Sequence, residues 1–213
     1  MVTEQMEFWQ GKFGQEYTER STFTPKEIDL LYVEQYGISR TDMNKSFLDS
    51  QSINRILEVG CNTGNQLLHL QSNGYEHLYG IELQSYAVEK SKGLSQRINI
   101  IQGSAFDIPY KDSYFDLVYT CGVLIHVAPD DINKALQEIY RTSKRYIWGF
   151  EYYSGEYEEI NYRGHEGKLW RTNFVDLYLK LFPDLKLIKE QKYPYLTKEK
   201  HVDQMFLLEK PQS

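Results

Sequence analysis

An α/β fold, a doubly wound parallel sheet with helices on both faces, is predicted for this chain by three observations. Strand-like and helix-like segments alternate from residue 55 to residue 151, a glycine turn closes the first strand, and a glutamate ends the second. Such alternation implies parallel strands joined by helical crossovers. The alternating segments are 55–60, 64–72, 78–83, 85–95, 98–102, 115–120, 131–143 and 145–151.

The first element is Ile56-Leu57-Glu58-Val59-Gly60-Cys61-Asn62-Thr63-Gly64-Asn65, a buried strand running through a tight turn into a helix. A dinucleotide fingerprint needs glycine at the first, third and sixth places of that turn. Those places hold Gly60, Asn62 and Asn65, so two of three fail. The spacing that fits is acidic-x-Gly-x-x-x-Gly, formed by Glu58, Gly60 and Gly64. The second strand ends in Gly80-Ile81-Glu82-Leu83, with Glu82 placed to accept two ribose hydroxyls. A third strand, Ile98 to Gln102, leads into Gly103-Ser104-Ala105, and a fourth, Tyr114 to Thr120, leads into Cys121 to Val127. Ligands of such sheets bind beyond the carboxyl ends of the strands, where strand order reverses. All four turns lie at such ends.

Pro129-Asp130-Asp131 opens a helix whose Ile132, Ala135, Leu136 and Ile139 form one apolar face, with an Asp in capping position. Residues 1–50 read as a polar helical cap broken at Gly11, Gly14, Pro25 and Gly37. Residues 152–171 form a polar, aromatic connection. A helix at 172–182 and strands at 185–189 and 204–208 complete the chain, read as one domain with cap 1–50 and core 51–213.

These residues resemble motif I and the following motifs of the class I S-adenosylmethionine-dependent methyltransferases. The resemblance implies a seven-stranded sheet with its last strand antiparallel, S-adenosylmethionine as cofactor and S-adenosylhomocysteine as product. It also implies a cofactor site at Glu58, Gly60, Cys61, Asn62, Gly64, Glu82, Leu83, Ser104, Ala105, Thr120 and Cys121. Family members often carry an acidic residue where this chain has Ser104, so the adenine contact is expected at that hydroxyl or at the Ala105 backbone. Trp9, Tyr17 and Arg20 are expected to close over the methionine end.

A narrower resemblance lies in Glu7 to Arg20, in Gly122-Val123-Leu124-Ile125-His126, in Arg145 to Tyr153, in Tyr162-Arg163-Gly164-His165, in Leu169 to Phe174 and in Phe206 to Lys210. These segments are similar to the pseudaminic acid biosynthesis-associated methylases, which implies a small polar acceptor methylated at an oxygen or carboxylate of a sugar or sugar acid.

His126, just past the fourth strand, is the first candidate for a general base. Glu151 and His165 are candidates to orient or deprotonate the acceptor. Tyr152, Tyr153 and Arg163 are candidates to bind it, Arg163 through a bidentate grip on carboxylate or phosphate. Cytosine C5 methyltransferases carry their nucleophile in a Pro-Cys pair, whereas this chain has Thr120-Cys121, so Cys121 reads as a small hydrophobe. The Asn/Asp-Pro-Pro-aromatic motif of adenine and amide N-methyltransferases is missing as well.

The bulk properties narrow the partners. The chain has 213 residues and a net charge of −6, without a basic run of five or more, which argues against a polynucleotide substrate. No stretch approaches the roughly 18 apolar residues of a membrane span. Met1 to Glu7 lacks a signal-peptide pattern, and Cys61 and Cys121 are the two cysteines. The expectation is a reduced, cytoplasmic protein without a metal, acting on a small molecule. The rivals are a nucleic-acid or protein methyltransferase, a cofactor-binding regulator without turnover, and S-adenosylmethionine chemistry other than methylation.

Overall fold

The computed structural model describes residues 2–198 and 201–211. Four cap helices come first: α1 (Glu4–Gln10), α2 (Lys12–Arg20), α3 (Pro25–Tyr36) and α4 (Arg40–Leu48). The core follows as β1 (Arg55–Val59), α5 (Asn65–Ser72), β2 (His77–Glu82), α6 (Ser85–Leu94), β3 (Asn99–Gln102) and β4 (Phe115–Cys121). Then come α7 (Ile132–Thr142), β5 (Ser143–Tyr152), β6 (Glu158–Glu159), β7 (Trp170–Arg171), α8 (Phe174–Leu181), β8 (Lys186–Pro194) and β9 (Val202–Glu209).

Seven strands form one sheet in the order β3-β2-β1-β4-β5-β9-β8. The first five are parallel, and β9 runs antiparallel between β5 and β8. This is the expected class I methyltransferase arrangement, with the last strand reversed. Strand order reverses at β1, between β2 and β4, which opens the crevice above its carboxyl end.

Alternation along β1 explains the two-sided core. Leu57 and Val59 join the cluster under α7 and α8, while Ile56 joins the one under α4 and α5. The predicted stripe on α7 is there: Ile132, Ala135, Leu136 and Ile139 are all buried. Asp131 takes the N-cap place of that helix, but its side chain makes no cap hydrogen bond.

The cap departs from expectation at Gly14, which lies inside α2 rather than at a break. A Cβ there would meet the Trp9 carbonyl, so only glycine lets α1 and α2 fold this tightly together. Gly11 joins the two helices, Pro25 opens α3 behind a Thr24–Glu27 capping box, and Gly37 closes α3 at φ 76°. In the 152–171 connection, β6 and β7 pair antiparallel as a short ribbon. The pairing of β8 with β9 is longer than the sequence suggested, running from Lys186 opposite Glu209 to Pro194 opposite Val202. Among the described residues, no helix is long and apolar enough to cross a membrane.

Candidate active site

A cavity of about 360 Å³ opens at the carboxyl ends of β1 to β4 and is covered by α1, α2 and α3. Its floor is the turn after β1. The Gly60 and Cys61 amides both donate to the Ile81 carbonyl, at 2.9 and 3.0 Å, and this clamps the turn onto β2. Gly60 has φ 73°, and a Cβ on it would stand 2.7 and 2.9 Å from the two Val123 methyl groups. Asn62 also takes positive φ, 49°. Gly64, at φ 85°, starts α5 where Ile100 and Ser95 leave no room for a side chain.

Glu82 stands at the end of β2 on the cavity wall. One carboxyl oxygen accepts from the Asn62 amide and the other from the Gln84 amide, both at 2.8 Å. Each oxygen keeps a further lone pair, which suits a vicinal diol. Ser104 accepts from the Phe106 amide at 3.1 Å, so its own O–H remains free to donate toward the wall it lines. Glu58 lies beneath the turn and accepts from the Tyr119 hydroxyl at 2.9 Å. Burial pushes its carboxyl up to about 8, so it carries a proton at neutral pH.

His126 sits in the short 3-10 turn Leu124–His126 that follows β4. Its Nδ1 donates to the Lys168 carbonyl at 2.7 Å, which leaves Nε2 as the acceptor of a ring on the cavity wall. Desolvation pulls its pKa down to about 4, so the ring is a neutral imidazole. Trp9 and Tyr162 pack against it at 4.6 and 5.0 Å between ring centres.

Glu151 has another place than the sequence suggested. Its carboxylate accepts from the Val123 amide at 3.0 and 3.2 Å and from the amides of Leu124 and Ile125, so it caps the His126 turn from behind. It is fully buried and off the cavity wall, which makes it a positioning residue and not a base in contact with an acceptor. Burial raises it to about 7.

Of the other candidates, Trp9, Tyr17, Glu58, Gly60, Cys61, Asn62, Glu82, Leu83, Ser104, Ala105 and Cys121 all line the one cavity. Arg20, Gly64 and Thr120 do not. Arg20 is exposed and lies over the Phe13 and Tyr17 rings, Gly64 shapes the helix start, and Thr120 is buried within β4. His165 and Arg163 are exposed, and His165 packs on Phe8 and Phe13 off the cavity wall. Tyr152 and Tyr153 are half-buried away from the wall, Tyr153 beneath the Lys192 ammonium. Burial pushes the Cys121 thiol up to about 11 and the Cys61 thiol well above its ordinary value, so neither is a thiolate nucleophile.

The sequence reading missed the cap wall formed by Met6, Phe23, Ile28, Leu31 and Tyr32. It also missed Gln84, whose side-chain amide donates to the Trp9, Gln10 and Gly11 carbonyls at 3.1, 2.8 and 3.2 Å. This ties the α1–α2 junction to the end of β2.

The residues present fit the cofactor that the fold implies. Trp9 Nε1, Asn62 Oδ1 and Gln66 Oε1 are buried without a hydrogen-bond partner, and all three residues line the cavity. One free donor and two free acceptors suit a zwitterionic amino-acid end. The glycine turn gives close backbone approach, and Glu82 suits a ribose.

Comparison with known proteins agrees with this geometry. Residues 57–146 match the family described as a methyltransferase domain. An O-methyltransferase, rstn1, of Aspergillus nomiae is 31% identical over 93 residues, 41% of this chain and 40% of that protein. The chain thus spans about two fifths of that relative. In structure, the putative methyltransferase solved in complex with the Trm112 activator from Haloferax volcanii superposes with a TM-score of 0.70 at 14% identity, covering 99% of both chains. The 1,6-didemethyltoxoflavin N1-methyltransferase of Burkholderia thailandensis, solved with S-adenosylhomocysteine, gives 0.63 at 13% identity over 80% of this chain and 76% of its own. By sheet order, strand direction and domain match, the chain carries the class I fold of S-adenosylmethionine-dependent methyltransferases.

Proposed function

We propose that the chain transfers a methyl group from S-adenosylmethionine to an oxygen of a small molecule held inside the cavity, with His126 receiving the acceptor's proton. The observation that carries this reading is the meeting of the Gly60 turn, Glu82 and His126 on one cavity wall. Bound there, S-adenosylmethionine supplies a methyl group already activated as a sulfonium for in-line displacement. The Gly60–Asn62 turn, Glu82 and Ser104 hold the nucleoside side, and Trp9, Asn62 and Gln66 hold the amino-acid end.

The chain's own task is to position and desolvate the acceptor. The neutral His126 Nε2 takes the hydroxyl proton as the new O–C bond forms, because the alkylated oxygen becomes strongly acidic at that moment. A base of low proton affinity suffices for such a step, and its neutral form is present throughout the physiological range. Glu151 holds the turn that carries it, and the Lys168 carbonyl selects the tautomer.

The N-terminal resemblance supports a sugar or sugar acid as the acceptor class. A cavity roofed by α1, α2 and α3 favours a small molecule over RNA or polypeptide. One methyltransferase unit of cap 1–50 and core 51–213 belongs to the same reading, since both parts line the cavity. Incubation with methyl-labelled S-adenosylmethionine and a size-fractionated metabolite extract tests it. Label in the low-mass fraction is expected. Label in RNA or protein alone contradicts the acceptor class, and a bound cofactor without turnover points to a regulator.

A further inference from the structure

We propose that the acceptor is an uncharged hydroxyl compound with an apolar face, and that the cavity turns away carboxylates and phosphates. The proposal rests on the methyl-transfer reading above and narrows it: of a neutral sugar and a sugar acid, the cavity selects the neutral one.

The charge inventory of the wall carries this. Among the described residues, no Lys or Arg lines the cavity. The cations nearby are held elsewhere. Arg40 is completely buried off the wall, its guanidinium over the rings of Tyr32, Trp148 and Phe150 at 5.2, 5.2 and 4.7 Å. Its Nη1 donates to the Tyr32 hydroxyl at 3.1 Å. Lys168 pairs with Glu4 at 2.9 Å, and Arg20 lies exposed over Phe13 and Tyr17. No Lys or Arg side chain on the wall can pair directly with an anionic acceptor, and a buried anion without such a partner costs several kcal/mol.

The acidic groups on the wall point the same way. Glu58 holds a proton at neutral pH, and Glu82 is bound by backbone amides, so neither attracts an anion. What the wall offers instead is Ile28, Leu31 and the Trp9 ring for an apolar face, with His126 Nε2 as the acceptor for a hydroxyl group.

Matched pairs that differ by one carboxylate test the proposal: catechol against 3,4-dihydroxybenzoate, and methyl glucoside against glucuronate. Each is titrated calorimetrically into the full-length protein saturated with S-adenosylhomocysteine. The neutral member of a pair is expected to bind at least tenfold more tightly. Leu31→Lys, a change at a 43% exposed position on the wall, should narrow or reverse that preference by adding the missing cation. Equal or tighter binding of the acids to the native protein overturns the proposal. So does failure of every probe to bind while S-adenosylhomocysteine binds normally. Failure of S-adenosylhomocysteine itself overturns the methyl-transfer reading beneath it.

Discussion

In the proposed site, Gly60, Glu151 and His126 divide the work among single residues. A side chain at Gly60 would collide with Val123 on the wall and force a left-handed backbone on an L residue. Gly60→Val is therefore expected to abolish S-adenosylhomocysteine binding while the circular dichroism of the sheet persists. His126→Ala should lower turnover by about 10²–10⁴-fold, the usual span for a general base, with cofactor affinity within about twofold of native. Because burial holds the ring near pKa 4, its part in turnover should be level from pH 8 to about 5 and fall through about 4. A pH–rate profile with a drop near 6.5 would contradict that environment.

Glu151 has the opposite sign. Its proton affinity is raised from 4.5 to about 7 in the folded protein, so folding takes up a proton between those values. The stability linked to it is complete below about 4.5 and is lost as pH rises through about 7. Relative to Glu151→Gln, the native protein should lose at most about 1.4 kcal/mol per pH unit across that window. Denaturant titrations of both proteins at several pH values read this directly, and parallel curves would refute it.

At the scale of elements, the turns after β1, β2, β3 and β4 were legible because their chemistry is local. Glycines, a strand-end acid and a serine at fixed distances identify a ligand without knowledge of packing. The cap wall was not legible. Ile28 and Tyr32 stand one helical turn apart on α3, a spacing that in sequence is the same whether the stripe meets a core or a cavity. Glu151 was read at the end of the fifth strand as a group facing the acceptor, whereas β5 continues through Tyr152 and aims the carboxylate at the amides of the neighbouring turn. Cap closure depends on a single side chain in a similar way. Gln84→Ala removes a side-chain amide whose two N–H groups are shared among three carbonyls of the α1–α2 junction, a loss of about two hydrogen bonds at about 0.5–1.5 kcal/mol each. Faster hydrogen exchange in α1 and α2, unchanged exchange in β1 and β4, and several-fold weaker cofactor binding are expected. Unchanged exchange in the cap would show that other contacts hold it.

For the whole molecule, the fold followed from alternation of strand and helix, and the reversal of strand order at β1 set where the cavity opens. The last two strands were harder to bound, because β8 is exposed along much of its length and carries little hydrophobic signal. The central claim is that this crevice, roofed by the cap, is a specific S-adenosylmethionine site. A ligand that binds only the folded state stabilises it by about 2.7 kcal/mol at a hundred times its dissociation constant. Calorimetric titration with S-adenosylmethionine and S-adenosylhomocysteine, with NAD as control, tests the claim most directly. Micromolar binding of the first two, none of NAD, and loss of all binding in Gly60→Val are predicted. Binding of NAD, or native affinity in the Gly60 variant, would contradict the assignment of the pocket and the reaction built on it.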